Sequence, residues 1–413
     1  MSIAAPAADD AVEVLLRFGT AMLRAGNTAF RTREWLLVLA RKLGFDEAAV
    51  DVTFDSVTVS VRRDRQWTTM LREVGPPGVN VSRIGELERL ANALPAGSPL
   101  PEVAERLDRI EATPHFYAPA LVATAVGLAS GAFAFLNGCP VPEIATASLA
   151  GGLGQWSRSW LARRHLNQYG VAAAAAAIAS GLYVLIATFA ARAGVAIAGH
   201  PAGFISSVLF LIPGVPLVAA LLDLLERQTV AGVSRMAYGM MIFLTAVFGL
   251  SIVVGIAKID LSPQPAAELA YPVHLLLRAV ASFVGGCGFA MLFNNSMRTV
   301  IAVGLLALVA NELRLGLRDL GMLLAPASFF GALAAGLLAS PVRQRLAVPR
   351  FALTVPAIII MVPGVYAFEM IVFFNRGQML EALQAAAACG FATGALAIGL
   401  AAARLMTRQQ TAA

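Results

Sequence analysis

The sequence predicts a polytopic α-helical membrane protein, with about ten transmembrane helices in two five-helix inverted repeats behind a small cytoplasmic α+β domain. Three observations predict it. Of 413 residues, 58% are hydrophobic and only 14% charged, with a mean hydropathy of +0.73, which is more apolar than a soluble domain sustains. The charges are segregated: residues 1–116 hold 14 basic and 16 acidic side chains, whereas residues 117–413 hold 17 and 9. A Pro-Gly motif also occurs twice in the apolar part, as Ile212-Pro213-Gly214-Val215 and Val362-Pro363-Gly364-Val365.

The polar domain, 1–116, opens with two helices. Val12, Leu15, Leu16, Phe18 and Met22 recur at helical spacing, as do Trp35, Leu36, Leu39 and Leu43 before Gly44. From Val52 to Val61 the period changes to an alternation that predicts one strand. Gln66–Val74 is its partner across a hairpin near Arg63 and Asp64. Gly75-Pro76-Pro77-Gly78 breaks the chain, Ser82 is the expected cap of a helix to Leu94, and Pro101–Glu111 reads as a charged connecting helix. The N-terminus carries Asp9, Asp10 and Glu13 and lacks the basic and apolar regions of a signal peptide. The domain is therefore expected to stay in the cytoplasm.

Apolar stretches near the roughly 20 residues needed to cross hydrocarbon follow at 117–136, 141–157, 170–191, 202–225, 232–257, 271–293, 297–311, 320–339, 351–374 and 380–405. They group into a first repeat, 117–258, and a second, 271–408. With the N-terminus inside, the cytoplasmic side receives Arg158, Arg163, Arg164, Arg227, Arg235, Arg298, Arg343, Arg345, Arg350, Arg404 and Arg408. The other side receives Arg192, Lys258, Arg314, Arg318 and Arg376. This bias places both termini in the cytoplasm of a cell in whose inner membrane the protein sits.

Each Pro-Gly lies in the fourth span of a five-span half. Because five is odd, the two halves enter the membrane in opposite senses, the plan of many secondary transporters. Proline removes a helical donor and glycine loosens the next turn, so Pro213, Gly214, Pro363 and Gly364 are candidates for broken helices whose backbone binds substrate. Ionisable residues at membrane depth are the next candidates. Glu369, five residues beyond Gly364, is expected to be the deepest carboxylate and the proton-coupling group. Asp223 is expected at the cytoplasmic interface, paired with Arg227, as a substrate-path candidate. Asn294, ending the sixth span beside Asn295, can hydrogen-bond a substrate, and Arg278 is expected to snorkel outward. Gly127 and Gly131, Gly285 and Gly286, and Gly390 and Gly394 are read as close-packing positions.

Other chemistries find little support. Cys139, Cys287 and Cys389 lack CxxC spacing and read as small apolar residues. His115, His165, His200 and His274 are scattered, so no metal and no cofactor is expected. No phosphate loop appears, which argues against ATP-driven transport. The excess positive charge lies in the apolar part, so no nucleic-acid partner is expected. Asp51, Asp55, Ser56 and Asp64 form no hydrolase motif, and the chain is not expected to be an enzyme.

The chain resembles the threonine/serine exporter family. The resemblance rests on Arg24-Ala25-Gly26-Asn27-Thr28-Ala29-Phe30-Arg31, Leu43-Gly44, the strand Val52–Val61, and Gly78-Val79-Asn80 before Arg83. In the membrane part it rests on Leu211–Leu217 with Asp223, Gly232 and Arg235, and on Val355-Pro356 with Val362-Pro363-Gly364. It implies export of small hydroxy amino acids, threonine and serine, with protons as the coupling ion and the lipid bilayer as surroundings. Relatives with separate halves are linked to dicarboxylate export, so a succinate-type exporter is the alternative substrate reading. A membrane-anchored hydrolase and an amino-acid sensor are alternatives of other classes, and self-association into a homo-oligomer is left open.

Overall fold

A computed structural model describes residues 8–164, 166–194, 201–257 and 270–408. His165, His200 and Lys258 lie outside the described residues. The chain forms two compact units. The first comprises residues up to Phe116 together with Ala219–Ala237, and the second comprises Tyr117–Val218 and the chain from Tyr238 onward.

In the first unit, α1 (Ala8–Arg24) and α2 (Ala29–Lys42) precede an antiparallel sheet of β1 (Glu47–Val52), β2 (Ser56–Arg63) and β3 (Gln66–Glu73), in that order. The single strand expected over Val52–Val61 is two. Thr53 Oγ1 accepts the Ser56 amide at 3.0 Å and hydrogen-bonds the Ser56 hydroxyl at 2.8 Å, which turns the chain between β1 and β2. The β2–β3 hairpin pairs Arg63 with Gln66 around Asp64 and Arg65, both at positive φ, the geometry of a tight right-twisting turn. Val57, Val59 and Val61 alternate inward and are buried, as are Leu15, Phe18, Leu36 and Leu39 of the two helices.

Two further helices, α3 (Val81–Ala93) and α4 (Leu100–Ala112), complete this unit. The cap of α3 is Asn80 rather than Ser82: its side chain accepts the Arg83 amide at 3.2 Å. Arg17 of α1 donates to Asp108 of α4 at 2.6 Å and to Glu111 at 3.1 Å. These carboxylates, Asp108 foremost, raise the pKa of the guanidinium above its ordinary value against the opposing effect of burial.

The second unit is helical. It contains α5 (Pro119–Leu136), α6 (Val141–Ala162), α7 (Gln168–Arg192), the short α8 (Pro201–Ser206), a 3₁₀ turn (Leu209–Leu211) and the start of α9 (Gly214–Leu225). Most of α10 (Thr229–Ala257) belongs here too, followed by α11 (Tyr271–Leu292), α12 (Met297–Asp319), α13 (Leu324–Leu346), α14 (Arg350–Ile359), α15 (Gly364–Asn375) and α16 (Met379–Arg408). Among the described residues, seven helices (α5, α7, α10, α11, α12, α13 and α16) are long and apolar enough to cross a membrane. Together α14 and α15 make an eighth such segment, bent by 48°. The other two expected spans correspond to α6, which is long enough but carries Glu143, Gln155 and Arg158, and to the broken run from α8 to α9.

Small residues let the helices close. A β-carbon on Gly127 would meet the Ser148 carbonyl at 2.6 Å, and one on Gly286 would meet Ala307 Cβ at 2.5 Å. Gly390 and Gly394, expected to act likewise, have nothing within 4 Å. Arg278 does not snorkel. It is buried between α11 and α12, where its Nε donates to Glu312 at 3.0 Å and its Nη1 to Asp319 at 2.7 Å. The three cysteines are unbridged.

Candidate functional site at the Pro-Gly breaks

The two motifs fold alike. Neither proline has an N–H to donate, so each preceding helical turn stops. The Gly214 amide donates to the Ile212 carbonyl at 2.8 Å, and the Gly364 amide donates to the Val362 carbonyl, also at 2.8 Å. Pro363 sits at φ −78, ψ 64, an inverse γ-turn. Before each turn, Ile212 N–H reaches Leu209 and Val362 N–H reaches Ile359, both at 3.0 Å. After it, Leu217 N–H reaches Pro213 and Ala367 N–H reaches Pro363, at 3.0 and 3.2 Å. The correspondence extends to the ends of the following helices. Arg227 and Gly377 both take positive φ, and the amides of Gln228 and Gln378 close the last turns on Asp223 and Phe373.

The breaks pack on one another. A β-carbon at Gly364 would overlap Ile212 Cδ1, and one at Gly214 would lie 3.5 Å from Ile359 Cδ1 and 3.6 Å from Val362 Cγ2. One side of this crossing is apolar, a small cavity between Leu211, Ile212, Phe243, Val247 and Phe368. A second cavity, of about 70 Å³ and mixed lining, brings Asn137, Asn311, Arg314 and Tyr366 together with Pro363, Gly364 and apolar side chains such as Phe133 and Ile360.

Arg314 and Asn311 lie three residues apart on one face of α12, and Arg314 Nη1 donates to Asn311 Oδ1 at 3.1 Å. Asn311 is in turn fixed by donating to Ser282 Oγ at 2.8 Å. Arg314 Nε is buried without a hydrogen-bond partner among the described residues. The first turn of α15 starts at the same cavity, and its Val365 and Tyr366 amides precede the first i→i−4 hydrogen bond, that of Ala367. A guanidinium donor and a positive helix end are thus presented to one small space, an arrangement suited to a carboxylate.

The remaining predicted residues lie elsewhere. Asp223, at the end of α9, is fully buried in the first unit and pairs with Arg235 of α10, with Nε 3.3 Å from Oδ2. It does not pair with Arg227, which is exposed because its positive φ turns it out of the helix. Asp223 Oδ1 also accepts the Phe30 amide at 3.2 Å, while Arg235 donates to the Asn27 carbonyl at 2.9 Å and lies over the Phe54 ring at 5.4 Å. The Arg24–Arg31 motif is the turn that this ion pair grips. Gly26, at φ +92, sits against the Gly78 carbonyl, and Asn80 N–H closes the turn on Ala25 at 2.9 Å.

Asn294 is buried at positive φ immediately beyond α11, with its amide on Met291 at 3.0 Å. Gly138 ends α5 in the same way. Asn294 therefore terminates a helix, and it is not among the residues lining either cavity. Glu369 lies on α15 past the break and is only partly buried. It is not the most enclosed carboxylate: Asp223 and Glu143 are both 0% exposed. Arg314 is a site residue that local sequence patterns single out weakly: the available signal is that it shares a helix face with Asn311.

Apolar helices of membrane-crossing length, one of them broken at a small cavity, define a multi-pass membrane protein. The chain belongs to the threonine/serine exporter family. The family model described as "Putative threonine/serine exporter" matches residues 13–257, and one described as "Threonine/Serine exporter, ThrE" matches residues 278–406. A probable threonine/serine exporter of Mycobacterium tuberculosis is 25% identical over 92% of this chain and 74% of its own length. The threonine/serine exporter of Corynebacterium glutamicum is 24% identical over 86% and 73%. A probable succinate transporter subunit, YjjP, of Escherichia coli is 27% identical over 57% of this chain and 90% of its own length. No solved structure matches the chain.

Proposed function

We propose that this protein is a secondary active exporter of L-threonine and L-serine, coupled to the proton gradient. The cavity at the second Pro-Gly break carries this reading. One guanidinium and one helix N-terminus provide for a single carboxylate, and Asn137, Asn311 and Tyr366 provide for the amino and hydroxyl groups of a small polar amino acid. The exporter names of the Mycobacterium and Corynebacterium relatives support the same substrates.

The transport cycle rests on the crossed breaks. We read the membrane part as ten spans in two inverted repeats, a reading supported by the matching hydrogen bonds around Pro213 and Pro363. Alternating access then rocks one half against the other about the Gly214 and Gly364 contacts, opening the cavity to each side in turn. The N-terminal unit is read as cytoplasmic and the surrounding bilayer as the inner membrane, with both termini inside.

A second reading, dicarboxylate export, is favoured by the succinate transporter relative. It asks for a second cation, whereas Arg314 is the one charged residue lining the cavity. Counterflow of labelled threonine in proteoliposomes separates the two. Exchange that serine competes and a pH gradient drives supports amino-acid export. Exchange with succinate alone moves the assignment to dicarboxylates, and absence of flux for either overturns the exporter reading.

A further inference from the structure

The sheet of the first unit ends on β3, and among the described residues no further strand pairs with it. Its outer face is apolar at the centre: Trp67 is 52% exposed and Leu71 61%, with Thr69 exposed between them. The opposite edge, β1, turns Glu47 and Asp51 outward, charges of the kind that guard an edge against pairing. On β3 the outward charges stand at the two ends of the apolar stretch, Arg65 before it and Glu73 after it. Both are exposed, and they are opposite in sign.

Backbone directions along β3 follow from its hairpin. Gln66 pairs with Arg63 across a two-residue loop, so the even-numbered residues turn their amides and carbonyls toward β2. At the far end the Val74 amide is still on that side, donating to the Asp55 carbonyl just before β2 at 2.7 Å. Trp67, Thr69, Leu71 and Glu73 therefore direct their backbone groups to the edge. Their side chains share the outer face, because that alternation also has period two. Arg72, on the other face, is engaged with Glu13 of α1.

These residues complement a second copy of themselves. A two-fold axis through Thr69 sets Thr69 opposite Thr69, Trp67 opposite Leu71, and Arg65 opposite Glu73 of the second copy. The edge-facing groups of Trp67, Thr69 and Leu71 then fall on hydrogen-bonding positions, an aromatic ring meets a leucine, and each end charge meets its opposite. Other registers lose this. An axis between two residues sets edge-facing groups against groups already turned to β2, and an axis through Trp67 or Leu71 runs the ladder into the hairpin turn or into Gly75-Pro76. We propose that β3 is a self-association edge, which pairs antiparallel with β3 of a second copy about Thr69 and joins two three-stranded sheets into one.

In that register the two Thr69 Cα atoms lie about 5.5 Å apart. Ser60 of β2, whose hydroxyl hydrogen-bonds Thr69 Oγ1 at 2.8 Å, is separated from its counterpart by three strand spacings, about 14 Å. The test uses the full chain in proteoliposomes at high lipid excess, with the parent chain, its three cysteines in place, as the blank. Thr69→Cys is expected to give a covalent dimer with a short bifunctional thiol reagent, and Ser60→Cys none. Adding Arg65→Glu to the Thr69→Cys chain is expected to lower the yield about tenfold, by setting like charges at both ends, and adding Glu73→Arg as well to restore it.

A Thr69→Cys chain that stays monomeric overturns the proposal, whether its thiol is open to a water-soluble maleimide or covered by lipid or another protein. Equal cross-linking at Ser60 and Thr69 marks random collision and overturns it too, as does a yield that the single charge reversal leaves unchanged. Should Thr69→Cys fold poorly, co-purification of two differently tagged copies decides. The native pair and the double reversal are then retained and the single reversal is lost; any other pattern overturns the proposal.

Discussion

Gly364 abuts Ile212 so closely that no β-carbon fits between them, whereas the reciprocal contact of Gly214 with Ile359 leaves ordinary van der Waals space. The two breaks share a backbone conformation and differ in tolerance. Gly364→Ala forces the terminal methyl of Ile212 to swing aside and is expected to destabilise the protein by about 0.5–1.5 kcal/mol, and Gly214→Ala by less. Thermal unfolding of the two variants followed by size-exclusion chromatography checks the asymmetry. Ile212→Ala placed on the Gly364→Ala background should recover part of the loss.

The Asp223–Arg235 pair makes a separate demand. Both side chains are buried, and each also holds backbone of the Asn27–Phe30 turn. Arg235→Ala leaves a carboxylate enclosed without its cation, and the expected cost is about 3–5 kcal/mol. Asp223→Leu with Arg235→Met should be less damaging than Arg235→Ala alone, since the pair is removed whole. Limited proteolysis of the first unit reads both results.

The hairpin after β2 is expected to improve on one change. Arg65 holds φ +68 with a full side chain, a conformation that costs a non-glycine residue about 1 kcal/mol or more. Arg65→Gly should raise the stability of the first unit by about that amount, seen as a higher midpoint in denaturant.

Much of this architecture was legible in the sequence, because charge segregation and hydrophobic period record burial directly. The opening helices, the hairpin at Asp64 and the breaks at Pro213 and Pro363 follow from residues acting on their own backbone. Long-range partners leave no such trace. The pairing of Asp223 with Arg235 rather than Arg227 depends on a helix-ending turn whose left-handed residue is an arginine, not a glycine. A polar side chain in an apolar run, such as Asn294, suggests a substrate contact from sequence alone, whereas the positive φ that lets it end α11 is visible only in the fold. Arg278 was expected to reach outward, but Glu312 and Asp319 on the next helix supply partners that no local pattern announces.

The most direct test of the substrate site is threonine counterflow by wild type and Arg314→Gln, reconstituted side by side at matched folded protein. A charged hydrogen bond to the substrate carboxylate is worth about 1.5–3 kcal/mol, so the variant is expected to lose about 10- to 100-fold in apparent affinity for threonine. Serine should suffer the same loss. An Arg314→Gln protein that exchanges threonine with wild-type affinity would contradict placing the substrate carboxylate at the second Pro-Gly break.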